Sequence, residues 1–304
     1  MNGGDSKDDE EEREQVMSEV HLGCPPGISG PHISRFTICL PSGVESSRFN
    51  EIRFDEDGDL ILPRRRQISR RCFTMKIQHN ITSSIPSVGL QVWKAELILS
   101  DFVLHKMCTS MEFHGIVSLE LGAGTGLAGM LLAHAAKTLL RLCIIATDHG
   151  DQILENCLKN VQLNSGVLNH QKVVYVRELD WTHPWPPKVS SDLATQERFS
   201  WSSSELEEVQ KASLLLAADV IYSDDLTDAL FGILERIMSQ GSEKVLYLAL
   251  EKRYNFKCEG LELGSLPCFM GKCIDVAEIP QYVGGYDRGD DVELWEIRYS
   301  KGKL

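Results

Sequence analysis

From Val117 onward the chain alternates between short apolar runs and stretches in which apolar residues recur every three or four positions. Short runs bounded by glycines or acids read as buried strands, and the helical recurrence reads as amphipathic helices packed on them. The strands predicted in this way are 117–121, 142–148, 173–176, 214–218 and 244–250. A helix follows Gly126, and a second over 151–164 puts Ile153, Leu154, Cys157, Leu158 and Val161 on one face. That leaves Asn160 and Asn164 as polar-face and C-terminal residues of the second helix. A third helix over 225–240 carries Leu226, Leu230, Ile233, Leu234 and Ile237 on one side. Ser204-Glu205-Leu206-Glu207 supplies a capping box for a short helix ahead of the fourth strand. Val292 to Ile297 alternates apolar with polar and reads as the last strand. Strands and helices in alternation give an α/β fold with a largely parallel sheet.

Upstream, Phe36 to Leu40 and Cys72 to Ile77 are β-type pieces. They predict an N-terminal β extension over 31–87 that packs on a main domain over 88–304, behind an acidic, disordered tail over 1–30. The stretch 182–204 is rich in proline and serine, holds Trp185 and Trp201, and reads as a loop insertion. Hydrophobic residues make up 42% of the 304, enough for a packed core, and no apolar run is long enough to cross a membrane. The opening Asp5, Asp8, Asp9, Glu10, Glu11 and Glu12 is the opposite of a signal or transit peptide, so nucleus or cytoplasm is the expected location. The nine cysteines are scattered without a CxxC, which argues against a zinc site or a disulfide framework and makes Cys143 and Cys157 buried thiols. The nine histidines show no ligand spacing, so no metal is expected, and His149 reads as a solvent-facing loop residue.

A net charge of −13 argues against nucleic-acid binding by the surface as a whole. Arg64-Arg65-Arg66 with Arg70-Arg71 is a local exception, either a polyanion-contacting patch or a solvated loop balancing nearby acids. Asp55-Glu56-Asp57-Gly58-Asp59 hints at a calcium loop, but Arg66 stands where the twelfth-position glutamate is needed.

The chemistry concentrates at Glu120-Leu121-Gly122-Ala123-Gly124-Thr125-Gly126. Glycine at every second position permits a tight turn and close approach to a ligand, and the following helix offers free N–H groups. The register starting at Gly124 matches GxGxxG, the dinucleotide fingerprint, whereas the register starting at Glu120 matches ExGxGxG. A carboxylate repels a pyrophosphate but suits the sulfonium and ammonium of S-adenosyl-L-methionine, so Glu120 favours the methyl donor. Asp148 ends the second strand, where an acid accepts ribose hydroxyls in both cofactor classes. Asp180-Trp181 follows the third strand and Asp219-Val220-Ile221-Tyr222 the fourth, so each special residue stands at a strand's C-terminal end, where open parallel sheets bind ligands.

The ordered set Gly89-Leu90-Gln91-Val92-Trp93, E-L-G-A-G-T-G-L, T-D, E-L-D-W and D-V-I-Y resembles the family 16 protein-lysine methyltransferases, over roughly Val88 to Tyr299. Asp55 to Leu60, Ser223 to Ala229 and Glu251-Lys252-Arg253 narrow the likeness to one branch of that family. The resemblance implies a Rossmann-like seven-stranded class I methyltransferase sheet, its last strand antiparallel to one near 273–279. In one departure, Gly260, Gly264, Pro267 and Gly271 interrupt the usual fifth helix and abbreviate 255–272. By position, Gly122, Ala123, Gly124, Thr125 and Gly126 would pass under the methionine moiety with Glu120 near its ammonium. Asp148 would take the ribose, Asp180 and Trp181 the adenine, Trp93 would close over the donor, and Ala218 would give a backbone contact. The family's D-x-x-Y motif lines the acceptor site, which carries that role onto Asp219 and Tyr222. A protein substrate is implied, a chaperone or nucleic-acid-associated factor among the candidates, with a monomeric enzyme and no membrane. The rivals are a nucleic-acid methyltransferase, a non-catalytic module that binds the donor and a partner, and a nicotinamide oxidoreductase. Amino-directed nucleic-acid enzymes show prolines inside the D-x-x-Y position, and this chain has none there.

Overall fold

The computed structural model describes residues 15–17, 30–40, 71–113, 115–135, 143–168, 173–189, 198–252 and 268–300. Within the tail expected to be disordered, Gln15–Met17 is a strand paired antiparallel with 82–84, while residues 1–14 and 18–29, the Asp55 segment, the arginine cluster up to Arg70, and 253–267 lie outside the described residues.

The chain order is β1 (Gln15–Met17), β2 (His32–Leu40), β3 (Arg71–His79), β4 (Thr82–Ser84), α1 (Lys94–Thr109), β5 (Val117–Leu121), α2 (Leu127–Ala135), β6 (Cys143–Asp148), α3 (Asp151–Leu163), β7 (Val173–Glu178), α4 (Ser203–Lys211), β8 (Leu214–Ala218), α5 (Asp224–Met238), β9 (Val245–Glu251), β10 (Phe269–Ile274) and β11 (Val292–Tyr299). Seven of the strands form one sheet in the order β10-β11-β9-β8-β5-β6-β7. From β9 to β7 the pairs are parallel, while β11 runs antiparallel to both β9 and β10. The chain moves outward from β5 through β6 to β7, then returns to β8 on the other side of β5. That reversal opens a crevice at the C-terminal ends of β5 and β8, the place where such sheets receive ligands.

Period-two alternation assigns the two faces. Leu119 and Leu121, Leu215 and Ala217, and Leu246 and Leu248 pack beneath α4 and α5. Leu214, Leu216, Tyr247 and Ala249 face the other way, into the cluster built by α1 and α2. The β2–β3 hairpin adds Phe36, Ile38, Met75 and Ile77 to that same cluster, each fully buried. Four such side chains contribute on the order of 6–12 kcal/mol of burial, and the extension and the sheet share one core.

Several local details depart from the sequence reading. Asn160 and Asn164 are not solvent-facing; they are 0% and 1% exposed. They form a ladder with Asn156 along α3 that pairs with the edge of β3 as a neighbouring strand would. Asn164 Oδ1 accepts from the Lys76 N–H at 2.9 Å and its amide donates to the Lys76 carbonyl at 2.7 Å. Asn160 repeats this at Gln78, at 2.7 and 3.0 Å. Asn156 donates to the same Gln78 carbonyl and accepts from the Gln78 side chain. The ladder satisfies backbone groups that an edge strand would otherwise leave open.

The capping box lies two residues earlier than expected, between Ser202 and Glu205. Glu205 is fixed there because its carboxylate also receives the Arg177 guanidinium. The partner of the last strand is Phe269–Ile274, with a short 3-10 turn at Val276–Glu278 where strand was expected to continue. The scattered cysteines hid one cross-link: register places Cys39 opposite Cys72, and the two form a disulfide. Cys157 is a buried thiol, as read from the sequence.

The outer edge of β2 is closed by the loop before β11. Cys39 donates its N–H to the Tyr282 carbonyl at 3.0 Å, and Gly284 donates to the Thr37 carbonyl at 2.9 Å. Asp101 of α1, fully buried, organises that loop by accepting the N–H groups of Tyr282 and Val283 and the Tyr286 hydroxyl. Among the described residues no helix is long and apolar enough to cross a membrane.

Candidate active site

A cavity of about 280 Å³ opens at the switch point. Its floor is Gly122, Ala123 and Gly124 after β5; its walls are Asp148 and His149 after β6, Asp180 and Trp181 after β7, and Ala218, Asp219, Val220 and Tyr222 after β8, with Trp93, Glu96 and Glu120 behind. Every residue singled out in the sequence lines this cavity except Thr125 and Gly126. Thr125 turns its hydroxyl away, donating to Glu96 Oε1 at 2.7 Å. Gly126 packs on Cys157, whose sulfur would lie 2.7 Å from a Cβ at that position. These two shape the loop instead of walling the cavity.

The loop is tight because Gly122, Gly124 and Gly126 all have positive φ, at +62°, +51° and +79°. At Gly122 a Cβ would meet Val220 at 2.6 Å and the Trp181 ring at 3.4 Å, so a side chain there would fill the cradle. Gly129, the third glycine of the GxGxxG register, has a different cause. A Cβ there would stand 2.5 Å from Glu120 Oε2, and without one the Gly129 N–H reaches that oxygen at 3.2 Å. The acid that favoured a methyl donor is thus seated against the first turn of α2, where the helix dipole offers partial positive charge.

Asp148 Oδ2 accepts the Gly124 N–H at 2.7 Å and Oδ1 accepts the His149 N–H at 2.8 Å. Each oxygen keeps a further acceptor site for a ligand hydroxyl. Asp180 Oδ1 accepts the Thr182 N–H and hydroxyl, which ties down the turn carrying Trp181. Trp93 is the N-cap residue of α1 and donates its indole N–H to the Val88 carbonyl at 3.1 Å. His149 is exposed, as read from the sequence, and stands on the rim with its Nδ1 3.4 Å from Glu178 Oε1.

Asp219 is the only described non-glycine residue with positive φ, +54°. Its N–H donates to the Ala249 carbonyl of β9 at 2.8 Å, and its side chain is buried at the cavity wall. Left-handed aspartate costs on the order of 1 kcal/mol and concentrates at functional turns. Ser223, not Asp219, occupies the N-cap of α5, and Tyr222 lines the cavity instead of entering the core.

Sequence reasoning missed Glu96. It projects from the first turn of α1, is almost fully buried, and accepts both the Thr125 hydroxyl and the Leu127 N–H. Its carboxyl is pushed up to about 7, because burial outweighs those hydrogen bonds and the nearby Asp148 adds to it. Burial and the Glu96 charge raise Glu120 well above the usual carboxylate range, and burial also raises Asp148. The cavity wall therefore holds five carboxyl groups, Glu96, Glu120, Asp148, Asp180 and Asp219, and no described lysine or arginine. Such a wall offers acceptors to a cationic ligand, whose charge favours the ionised carboxyls, and no counter-charge to a polyphosphate, which disfavours the nicotinamide reading. Among the described residues, the buried Trp181 indole N–H has no hydrogen-bond partner.

Residues 73–263 match the family described as lysine methyltransferase. Methyltransferase-like protein 22 of Homo sapiens is 30% identical, over 86% of this chain and 70% of its own length. Its namesake from Mus musculus is 37% identical, over 73% of this chain and 58% of its own length. The protein-lysine N-methyltransferase EFM2 of Saccharomyces cerevisiae is 29% identical, over 60% of this chain and 44% of its own length.

Proposed function

Since the chain belongs to the lysine methyltransferase family, we propose that its cavity holds S-adenosylmethionine and that Asp219 and Tyr222 receive a lysine side chain of a protein substrate. The observation that carries this reading is a wall of carboxyl groups with no described lysine or arginine, closed on one side by an aspartate in left-handed conformation. The residues present fit the donor. Glu96 and Glu120 offer oxygens to an ammonium, Asp148 to ribose hydroxyls, and the side-chain-free cradle at Gly122 admits its backbone-hugging portion. When bound, S-adenosylmethionine supplies an electrophilic methyl group on a sulfonium sulfur.

The protein's own task is positioning. A free lysine has a pKa near 10.4 and must arrive unprotonated to attack. Trp93, Tyr222 and Leu226 supply apolar surface to the cavity, and desolvation favours the neutral amine. Asp219 favours the charged amine, so it cannot lower the pKa; it accepts an N–H from the amine and directs the remaining lone pair. Tyr222 walls the transfer site. The proton leaves to water, and no dedicated base is required. We place the acceptor among chaperones and nucleic-acid-associated proteins, as the resemblance implies.

The test is direct. S-adenosylhomocysteine at tenfold excess over its Kd should stabilise the protein by about 1.4 kcal/mol, and NAD should not. Labelled donor with cell lysate should then place label on lysine of a protein that survives nuclease and not protease. Stabilisation by NAD alone, or label in the nuclease-sensitive fraction, would overturn the assignment.

Asp148 gives a narrower result. Asp148→Ala should weaken S-adenosylhomocysteine binding by about 1–2 kcal/mol, through loss of the ribose contact and of the Gly124 N–H acceptor. Asp148→Asn retains an acceptor oxygen and should lose less. Unchanged affinity in titration calorimetry for both variants removes Asp148 from the site.

A further inference from the structure

The glycine loop is held from outside as well as by its own turns. Asn160, fully buried on α3, spends its amide on two segments at once: it donates to the Gln78 carbonyl of β3 and to the Thr125 carbonyl of the loop, both at 3.0 Å. Thr125 lies between Gly124 and Gly126, two left-handed residues with no side chain to fix the peptide planes on either side of it. Its hydroxyl is held by Glu96 and its carbonyl by Asn160, so α1 and α3 grip it from opposite ends. A second strut runs from the same strand, because Asn80, just past β3, donates to the Leu90 carbonyl at 2.8 Å. The adjoining Gly89 carbonyl leans on the loop, 3.0 Å from where a Cβ of Gly124 would stand.

We propose that the β2–β3 hairpin positions the glycine loop for the methyl donor, and that Asn160 is the positioning residue through which it acts. This rests on the cavity being the donor site. The ladder supplies its own control. Asn164 makes the same pair of bonds to β3, at Lys76, but its remaining contacts are with the Asn160 carbonyl and the Met130 sulfur, not with the loop. Removing either asparagine takes a donor and an acceptor from β3, the Gln78 carbonyl keeping Asn156 in one case, whereas of the two only Asn160 reaches the loop.

The experiment compares Asn160→Ala with Asn164→Ala in the full chain, reading melting temperature, the Kd for S-adenosylhomocysteine by calorimetry, and donor KM and kcat on labelled lysate protein. Both variants should melt earlier than the parent. Asn160→Ala should weaken binding and raise the donor KM by about tenfold, with kcat at saturating donor within about twofold of the parent. Asn164→Ala should leave the Kd within about twofold of the parent. If Asn160→Ala does not fold, Asn160→Ser carries the same comparison. Parental affinity in the Asn160 variant, or an equal loss in Asn164→Ala, overturns the positioning role. A parent protein that binds no S-adenosylhomocysteine instead sinks the donor-site reading on which it rests.

Discussion

Asp219→Asn is expected to lower the methylation rate about 100-fold, equivalent to roughly 2.7 kcal/mol of transition-state stabilisation, with donor affinity unchanged. Asparagine is the informative replacement because φ at this position is +54°. Alanine would add a backbone penalty on the order of 1 kcal/mol to the loss of the carboxylate, mixing stability with chemistry. Asparagine tolerates the left-handed conformation, preserves the shape, and removes only the charge and one acceptor oxygen. The rate is measured on labelled lysate protein at saturating donor, with S-adenosylhomocysteine calorimetry alongside. Asp219→Asn turning over as fast as the parent would mean that the carboxylate does not orient the acceptor amine. Weakened donor binding without a rate effect at saturation would move Asp219 to the donor side of the cavity.

The second large effect is a pH dependence of stability that originates at Glu96. Its carboxyl has a folded-state pKa of about 7, against 4.5 for the free side chain, through burial first. Between those values the folded protein holds a proton that the unfolded chain has released, so stability falls as pH rises. At about 1.4 kcal/mol per pKa unit, the shift is worth about 3 kcal/mol, fully present below pH 4.5 and lost above about pH 7. Glu96→Gln removes the titration and keeps an acceptor for Thr125 and Leu127. The stability difference between variant and parent should therefore move by about 3 kcal/mol in the variant's favour from pH 4.5 to pH 8, read from urea midpoints of the ligand-free protein. A cationic ligand favours the ionised carboxyl, so parental affinity for S-adenosylmethionine should rise through the same pH window. A pH-independent difference between parent and variant would show that Glu96 ionises as an ordinary carboxyl.

The site was legible in the sequence to the extent that strand ends were. Asp219 follows an apolar run directly, Asp148 ends β6, Glu120 is the last but one residue of its strand and Asp180 stands just past β7. Parallel pairing from β9 to β7 brings those strand ends together in one crevice. Glu96 was not legible, because it comes from a helix whose neighbours are apolar on every side and it meets the loop 29 residues away. The one available signal was an acid three residues past Trp93, at the start of a helix. The asparagines on α3 were visible at positions 156, 160 and 164, one above another on a helix face. Polarity alone suggested water for that face. What distinguishes it is amide rather than charge at all three positions, since an amide both donates and accepts and can substitute for a strand. The disulfide depends on register across residues 39 and 72, and no local spacing announces it.

The hairpin's two braces also bear on when it can form. The α3 asparagines meet β3 across sequence separations of 78 to 88 residues, and β2 is closed by Tyr282 and Gly284, near the last strand. Contacts of that range carry the highest loop-closure cost and form late. A chain growing from its N-terminus therefore exposes β2 and β3 first; α3 can close the β3 edge midway, whereas the β2 edge stays open to foreign strands until 282–284 is synthesised. The nascent segment with the longest wait for its partners is the one on which the glycine loop leans.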